Sequence, residues 1–133
     1  MCIRDRYYIT DTHAFLWYLA DSPKFSRKAR AIFDLCDQGE VKIIISAVVL
    51  LECIDIFDKK KVLLDFESIA DRIIQSDNFI FSEIDWGLIL EVNELKGFKD
   101  LHDRVIVAAA KIYDGYLISK DQNIKLQYPK TIW

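Results

Sequence analysis

Cysteine, histidine and net positive charge are all scarce in this chain, and each shortage removes a class of protein. Its three cysteines, an odd number at irregular spacings, give neither a disulfide framework nor a zinc pattern; Cys36 and Cys53 read as small core hydrophobes. The longest apolar stretch, from Ile43 to Leu51 with Ser46 inside it, is too short to span a bilayer. No secretory leader with a cleavage site precedes it, so a cytoplasmic protein with no membrane partner is expected. Linkers, repeats and low-complexity tracts are missing too. What remains is one domain: 133 residues, 52% of them hydrophobic, suffice for one sizeable core and leave little room for a second. The formal charge of −3 counts against a protein that grips nucleic acid through a broad basic surface.

Against those absences stand four acids. Asp11 in YYITDTHAFLW, Glu52 in IIISAVVLLECI, Asp103 in LHDRVIVAAA and Asp121 in YLISKD each sit at or just past the end of an apolar run. Each should lie at the edge of a core element, where a buried face meets solvent. They are spread along most of the chain and can meet only if the fold brings strand ends together. In an open parallel sheet, functional groups gather outside the carboxyl ends of the strands, and Asp11 and Asp121 fit that place directly.

Two carboxylates ~5 Å apart repel by roughly 3 kcal/mol at an effective dielectric of about 20, so a cluster of four calls for a cation. Oxygen-only ligation, with no histidine or cysteine cluster, suits magnesium or manganese rather than zinc. The four acids supply the whole charge deficit, and the remainder of the chain is slightly positive; bound divalent cations would offset them. Such ions activate water and stabilise a leaving oxygen, which points to phosphodiester hydrolysis. Taken singly, each acid also has a plain structural reading: Asp11 a helix cap, Glu52 a solvated helix residue, Asp103 a favourable first-turn charge, Asp121 a turn former.

The pattern of elements supports the clustering. Residues 7–10 are short, aromatic and β-branched, as a strand should be, and Thr10-Asp11-Thr12 offers caps for a helix over 14–20. Ser22-Pro23 breaks the chain, and Ser26 opens a second helix with Ala29, Ile32, Phe33 and Cys36 on one face, stopped by Gly39. A buried strand over 41–45 leads into Ser46, a plausible N-cap for a helix on which Val48, Leu51 and Asp55 share a side with Glu52. Lys59-Lys60-Lys61 ends it, and Asp65 starts a helix with Phe66, Ile69 and Ile73 inward. A third strand over 78–81 precedes a helix capped by Asp85, carrying Leu88, Ile89, Val92 and Leu95 and closed by Gly97. Asp100 or Leu101 begins a helix to residue 113, with Asp103 in its first turn and Val105, Ile106, Ala109 and Ile112 at helical spacing. Gly115 ends it; residues 116–119 form a fourth strand and 131–133 a fifth at the edge. Such alternation predicts an α/β fold in three layers, α/β/α, around a central parallel sheet of four to five strands.

DTHAFLWYL at 11–19, ISAVVLLE at 45–52, DLHDRVIVAAA at 100–110, LISKD at 117–121 and the closing TIW at 131–133 resemble the PIN-domain ribonucleases, and within them the short VapC-like toxins of bacterial and archaeal toxin–antitoxin pairs. No single piece is diagnostic, but five in the family's order and spacing are a strong signal. The likeness runs over a single PIN-like domain at 7–133. The leader at 1–6, MCIRDR, matches nothing in the family and is set aside as foreign to the domain, an assembly or cloning remnant being one source.

The resemblance implies that Asp11, Glu52, Asp103 and Asp121 are the metal-binding, catalytic acids, with the hydroxyls of Ser119 and Thr12 orienting them and magnesium or manganese as cofactor. It further implies a structured RNA substrate such as transfer or ribosomal RNA, a small antitoxin protein that covers the site, and a homodimer. Histidine is common in the family at positions 13 and 102; His13 is expected to pack or cap, and His102 to make a minor substrate contact. Arg104 either contacts a phosphate or pairs with a carboxylate. Lys24, Arg27, Lys28 and Arg30 form the most basic stretch, a guide for an RNA backbone or a solvated helix face. Phe15, Trp17 and Tyr18 read as core and dimer contacts rather than base stacks, and Trp133 as structural.

The expected function is a divalent-metal-dependent endoribonuclease. The alternative is a PIN-fold module that binds RNA or protein without cutting, against which stands the cost of keeping four acids together. Other magnesium enzymes on parallel sheets fit less well. A phosphatase of the haloacid dehalogenase type wants a second Asp where His13 stands, and a phospho-receiver wants paired acids where Thr10-Asp11 stands.

Overall fold

In a computed structural model, which describes residues 7–60 and 64–133, the chain alternates strand and helix around one sheet. The leader at 1–6 and Lys61 of the lysine run lie outside the described residues. The elements are β1 (Tyr7–Thr10), α1 (Thr12–Leu19), α2 (Arg27–Asp37), β2 (Lys42–Ser46), α3 (Ala47–Lys59), α4 (Phe66–Gln75), β3 (Phe79–Ser82), α5 (Trp86–Glu94), α6 (Leu101–Tyr113), β4 (Tyr116–Ile118), α7 (Gln122–Gln127) and β5 (Thr131–Ile132). The sheet has five strands in the order β3-β2-β1-β4-β5, and all four pairings are parallel.

This order places the site. The chain steps outward from β1 to β2 to β3, then returns to lay β4 on the other side of β1. Right-handed crossovers put the helices of the outward and returning halves on opposite faces, which gives the three layers α/β/α. The reversal falls between β1 and β4, and a crevice opens outside their carboxyl ends. Ile9 is held between Ile44 and Leu117 by the registers on its two sides, and Ile9, Ile43, Ile44, Ile45, Leu117 and Ile118 are fully buried. A β-branched run covered on both faces forms such a strand because no polar group interrupts it.

Helix starts follow the anticipated caps. Asp11, Ser26, Ser46, Asp65, Asp85 and Asp100 each accept a bond from a first-turn N–H, which satisfies an otherwise orphaned donor. Five apolar residues read as core positions do not fully bury. Ile89 and Ile112 are about half exposed, Ile112 because it lies past the stretch of α6 from Val105 to Ala110 that is buried all round, and Phe66, Val92 and Leu95 are only partly covered. At the end of α6 the left-handed residue is Asp114, at φ 51°, and Gly115 serves a different purpose: a Cβ there would lie 2.7 Å from the Tyr7 carbonyl oxygen. The short helix α7, with Ile124 as its buried residue, was not anticipated; one buried position gives no periodicity to read.

Candidate functional site

The ladder between β1 and β4 runs one residue past β1, because the backbone N–H of Asp11 donates to the Ile118 carbonyl at 3.1 Å. This pins Asp11 at the carboxyl edge of the sheet. Its carboxylate caps α1 by accepting from the Ala14 N–H at 2.8 Å, and it is buried. Burial pushes its carboxyl above the usual range, against opposing pulls from the Ser119 hydroxyl, the Ala14 N–H and His13.

Glu52 reaches the same place from α3. The Thr12 hydroxyl donates to its Oε1 at 2.6 Å, so a buried threonine of α1 fixes the direction of a glutamate 40 residues away. On its other side His102 Nδ1 lies 3.5 Å from Oε2 and 3.4 Å from Asp100 Oδ1. Leu51, Asp55 and Ile56 share a small hollow with Glu52 and His102, as the helical spacing of Leu51 and Asp55 anticipated. Asp121 stands just beyond β4 and caps α7, accepting from the N–H groups of Asn123 at 2.8 Å and Ile124 at 3.2 Å. Its own N–H donates to Ser119 Oγ at 3.1 Å.

Asp103, half-buried in the first turn of α6, registers the others. Its carboxyl is pushed up to about 6, first by burial and then by the negative charges of Asp100, Asp121, Glu52 and Asp11. Asp11, Glu52, Asp103 and Asp121 line one cleft of about 410 Å³, together with Asp100. The rest of its lining is Thr12, His13, Trp17, Ile106 and Lys120.

Other candidates stand elsewhere. The Arg104 guanidinium turns to the C-terminal end of α5, donating to the carbonyls of Val92 at 2.8 Å and Asn93 at 3.3 Å, where helix carbonyls lack partners. Lys24 and Arg27 are exposed at the start of α2 and are not among the cleft's lining residues. Of the aromatics after β1, Phe15 is in the core and Tyr18 stacks on Phe33 at 4.4 Å. Trp17 instead faces the cleft, braced by Trp133 at 5.5 Å. Sequence reasoning passed over Asp100 and Lys120 as site residues and read Trp17 as a core and dimer contact. The only signal available was adjacency: Lys120 precedes Asp121, and Trp17 follows His13 by one helical turn.

The donor set suits a hard divalent cation in kind, because it is made of carboxylates that raise one another's proton affinity. Among the described residues no three His, Cys, Asp or Glu side chains form a ready-made cage. Asp11 and Asp121 are turned to helix caps and Glu52 to Thr12, and a cation would compete with those bonds for the same oxygens.

A family profile described as PIN domain matches residues 8–127. Among solved structures, a toxin–antitoxin complex from Klebsiella pneumoniae is similar at TM-score 0.62 and 16% identity, over 95% of this chain and 96% of that one. VapBC2 from Rickettsia felis, bound to a promoter DNA fragment, is similar at TM-score 0.66 and 16% identity, over 95% and 96%. FitAcB from Neisseria gonorrhoeae is similar at TM-score 0.59 and 15% identity, over 90% and 91%. At such identities the likeness is one of fold. A search of curated proteins finds no match.

Proposed function

The chain belongs to the PIN-domain family, a family of nucleases, and from that premise we propose that it is a divalent-metal-dependent endoribonuclease, the toxin of a toxin–antitoxin pair. The observation that carries this reading is the convergence of Asp11, Glu52, Asp103 and Asp121 on one cleft at the switch point of a parallel sheet. Asp11, Asp103 and Asp121, with Glu52, would hold magnesium or manganese. When bound, such an ion supplies a water of lowered pKa, holds the scissile phosphate in line and stabilises charge on the leaving oxygen. Thr12 keeps Glu52 turned into the cleft, and Ser119 bonds Asp11 and the Asp121 backbone at once, so the two hydroxyls position the acids. His102, beside Glu52, is placed to meet a substrate at the rim. Lys24 and Arg27, exposed at the start of α2, would be met by RNA running beyond the cleft, whereas Arg104 is committed to the α5 carbonyls and would serve a phosphate only by leaving them.

The toxin assignment draws on the complexes of similar fold, two of which are described as a toxin–antitoxin complex and as VapBC2. We assign this chain a small antitoxin partner that covers the acidic cleft and a homodimeric state. Among the described residues no helix is long and apolar enough to cross a membrane, which accords with a cytoplasmic place of action.

The test is incubation of the purified chain with total small RNA, with magnesium or manganese and with chelator, beside Asp103→Asn. Discrete fragments that disappear with chelator and with the substitution are expected. A folded, antitoxin-free protein that cuts nothing with either metal would shift the reading to a PIN-fold module that binds RNA or protein without cleavage.

A further inference from the structure

The cleft presents an electrostatic difficulty for any nucleic acid. Its lining carries five carboxylates, and Lys120 is the one lysine or arginine there among the described residues. A polyphosphate chain needs a route that does not run along the acids, and the lining has one segment of different character. His13 and Trp17 stand one turn apart on α1, their rings 5.8 Å apart, and the Lys120 ammonium lies 5.9 Å from the Trp17 ring centroid. His13 and Lys120 are exposed and Trp17 is partly so.

This segment is braced from behind. Trp133 meets Trp17 edge to face at 5.5 Å, and Phe25 meets Trp133 at 6.0 Å, while Phe25 is itself buried. An indole held this way loses little freedom when a ring settles on it; the exposed Lys120, whose ammonium sits over the ring when no base is there, swings aside to the phosphate next to that base. A core role alone would not set Trp17 in the wall of the cleft beside its lone lysine.

We infer that Trp17, flanked by His13 and backed by Trp133, is a base-stacking platform, and that Lys120 holds the adjoining phosphate. The enzyme would therefore act where a nucleobase beside the scissile bond is unpaired. The inference rests on the nuclease reading and names the substrate feature that the same cleft selects. A base paired within a duplex keeps its faces stacked on its neighbours and cannot reach the platform.

The experiment measures binding of a short labelled single-stranded oligoribonucleotide by fluorescence anisotropy. The protein is the full chain in an Asp103→Asn background with magnesium, so that the probe survives. The same oligomer lacking its bases, and a duplex of the same length, are run beside it. Expected results are binding weaker by about tenfold for the base-less oligomer and for Trp17→Leu, with Trp17→Phe restoring most of it. With Asp103 intact, Lys120→Met, an exposed change that spares the fold, should raise KM for cleavage and leave kcat nearly unchanged. Equal affinity for base-bearing and base-less oligomers overturns the inference, as does a folded Trp17→Leu that binds like its parent; in both cases the nuclease reading survives if the wild type cuts RNA. A chain that neither binds these probes nor cuts small RNA removes both.

Discussion

Asp103 is the residue at which the chemistry of the cleft can be read without any RNA. Its carboxyl titrates near 6, against an ordinary value of 3.8, because it is half withdrawn from water and faces Asp100, Asp121, Glu52 and Asp11. A folded-state pKa above the unfolded value means that the native chain holds this proton more tightly. The native state therefore loses stability as pH rises from about 4 to about 6 and carries the full penalty above that. In chelator at pH 7, Asp103→Asn should be more stable than the wild type by on the order of 1 kcal/mol, a figure kept small because the group is still partly hydrated. The advantage should vanish toward pH 4. Adding magnesium should reverse the order at pH 7, since the wild type, with all four acids, gains more from the cation than a variant that keeps three of them. Urea titrations at several pH values check this, and a substitution that destabilises equally at every pH would show that Asp103 acts only through its packing in the first turn of α6.

Among the elements, the contact between β1 and β4 sets how closely Asp11 and Asp121 approach, and Gly115 governs it. A Cβ at Gly115 would sit 2.6 Å from Ile9 Cδ1 and 2.7 Å from the Tyr7 carbonyl oxygen. The isoleucine can rotate away; the backbone cannot. Gly115→Ala should thus cost about 2–3 kcal/mol by forcing the strands apart, measured by urea unfolding, and should lower cleavage along with stability. An alanine variant as stable as the parent would mean that β4 can shift freely. This part of the fold is only half legible in sequence. Gly115 was expected to stop α6, a task that Asp114 performs in the left-handed region. Strands and caps were readable because uninterrupted β-branched runs and Asp or Ser before an apolar helix act locally. Asp11 and Asp121 were readable for the same reason, standing just past β1 and β4; Glu52 and Asp103, on α3 and in the first turn of α6, were named with them through the family's motifs. That Thr12, expected to orient an acid, serves Glu52 in particular, and that Trp17 enters the cleft rather than the core, depend on how α1 lies across α3 and the C-terminal residues. Spacing along one helix cannot distinguish a core aromatic from one that lines a cleft.

At the scale of the whole molecule, one group of exposed apolar side chains lies where the returning half of the chain begins. Trp86 is 70% exposed and Leu90 51%, and with Ile89 they follow one another at the three- and four-residue spacings that make a single helical stripe. Phe81 and Ile112, also half exposed, border one hollow of about 260 Å³ beside the buried Leu88. Apolar side chains gathered in this way on a small domain mark a contact surface, and aromatic residues are the usual anchors of such surfaces. The acidic cleft lies at the ends of β1 and β4, and none of these residues lines it. A dimer formed through α5 would therefore leave the cleft open to RNA and to an antitoxin. The wild type should sediment as a dimer at micromolar concentration, and Trp86→Ser with Leu90→Ser should give a monomer that keeps its fold, because both side chains already face solvent. A wild type that remains monomeric at high concentration would remove the homodimer. A double variant that still dimerises would move the interface off α5.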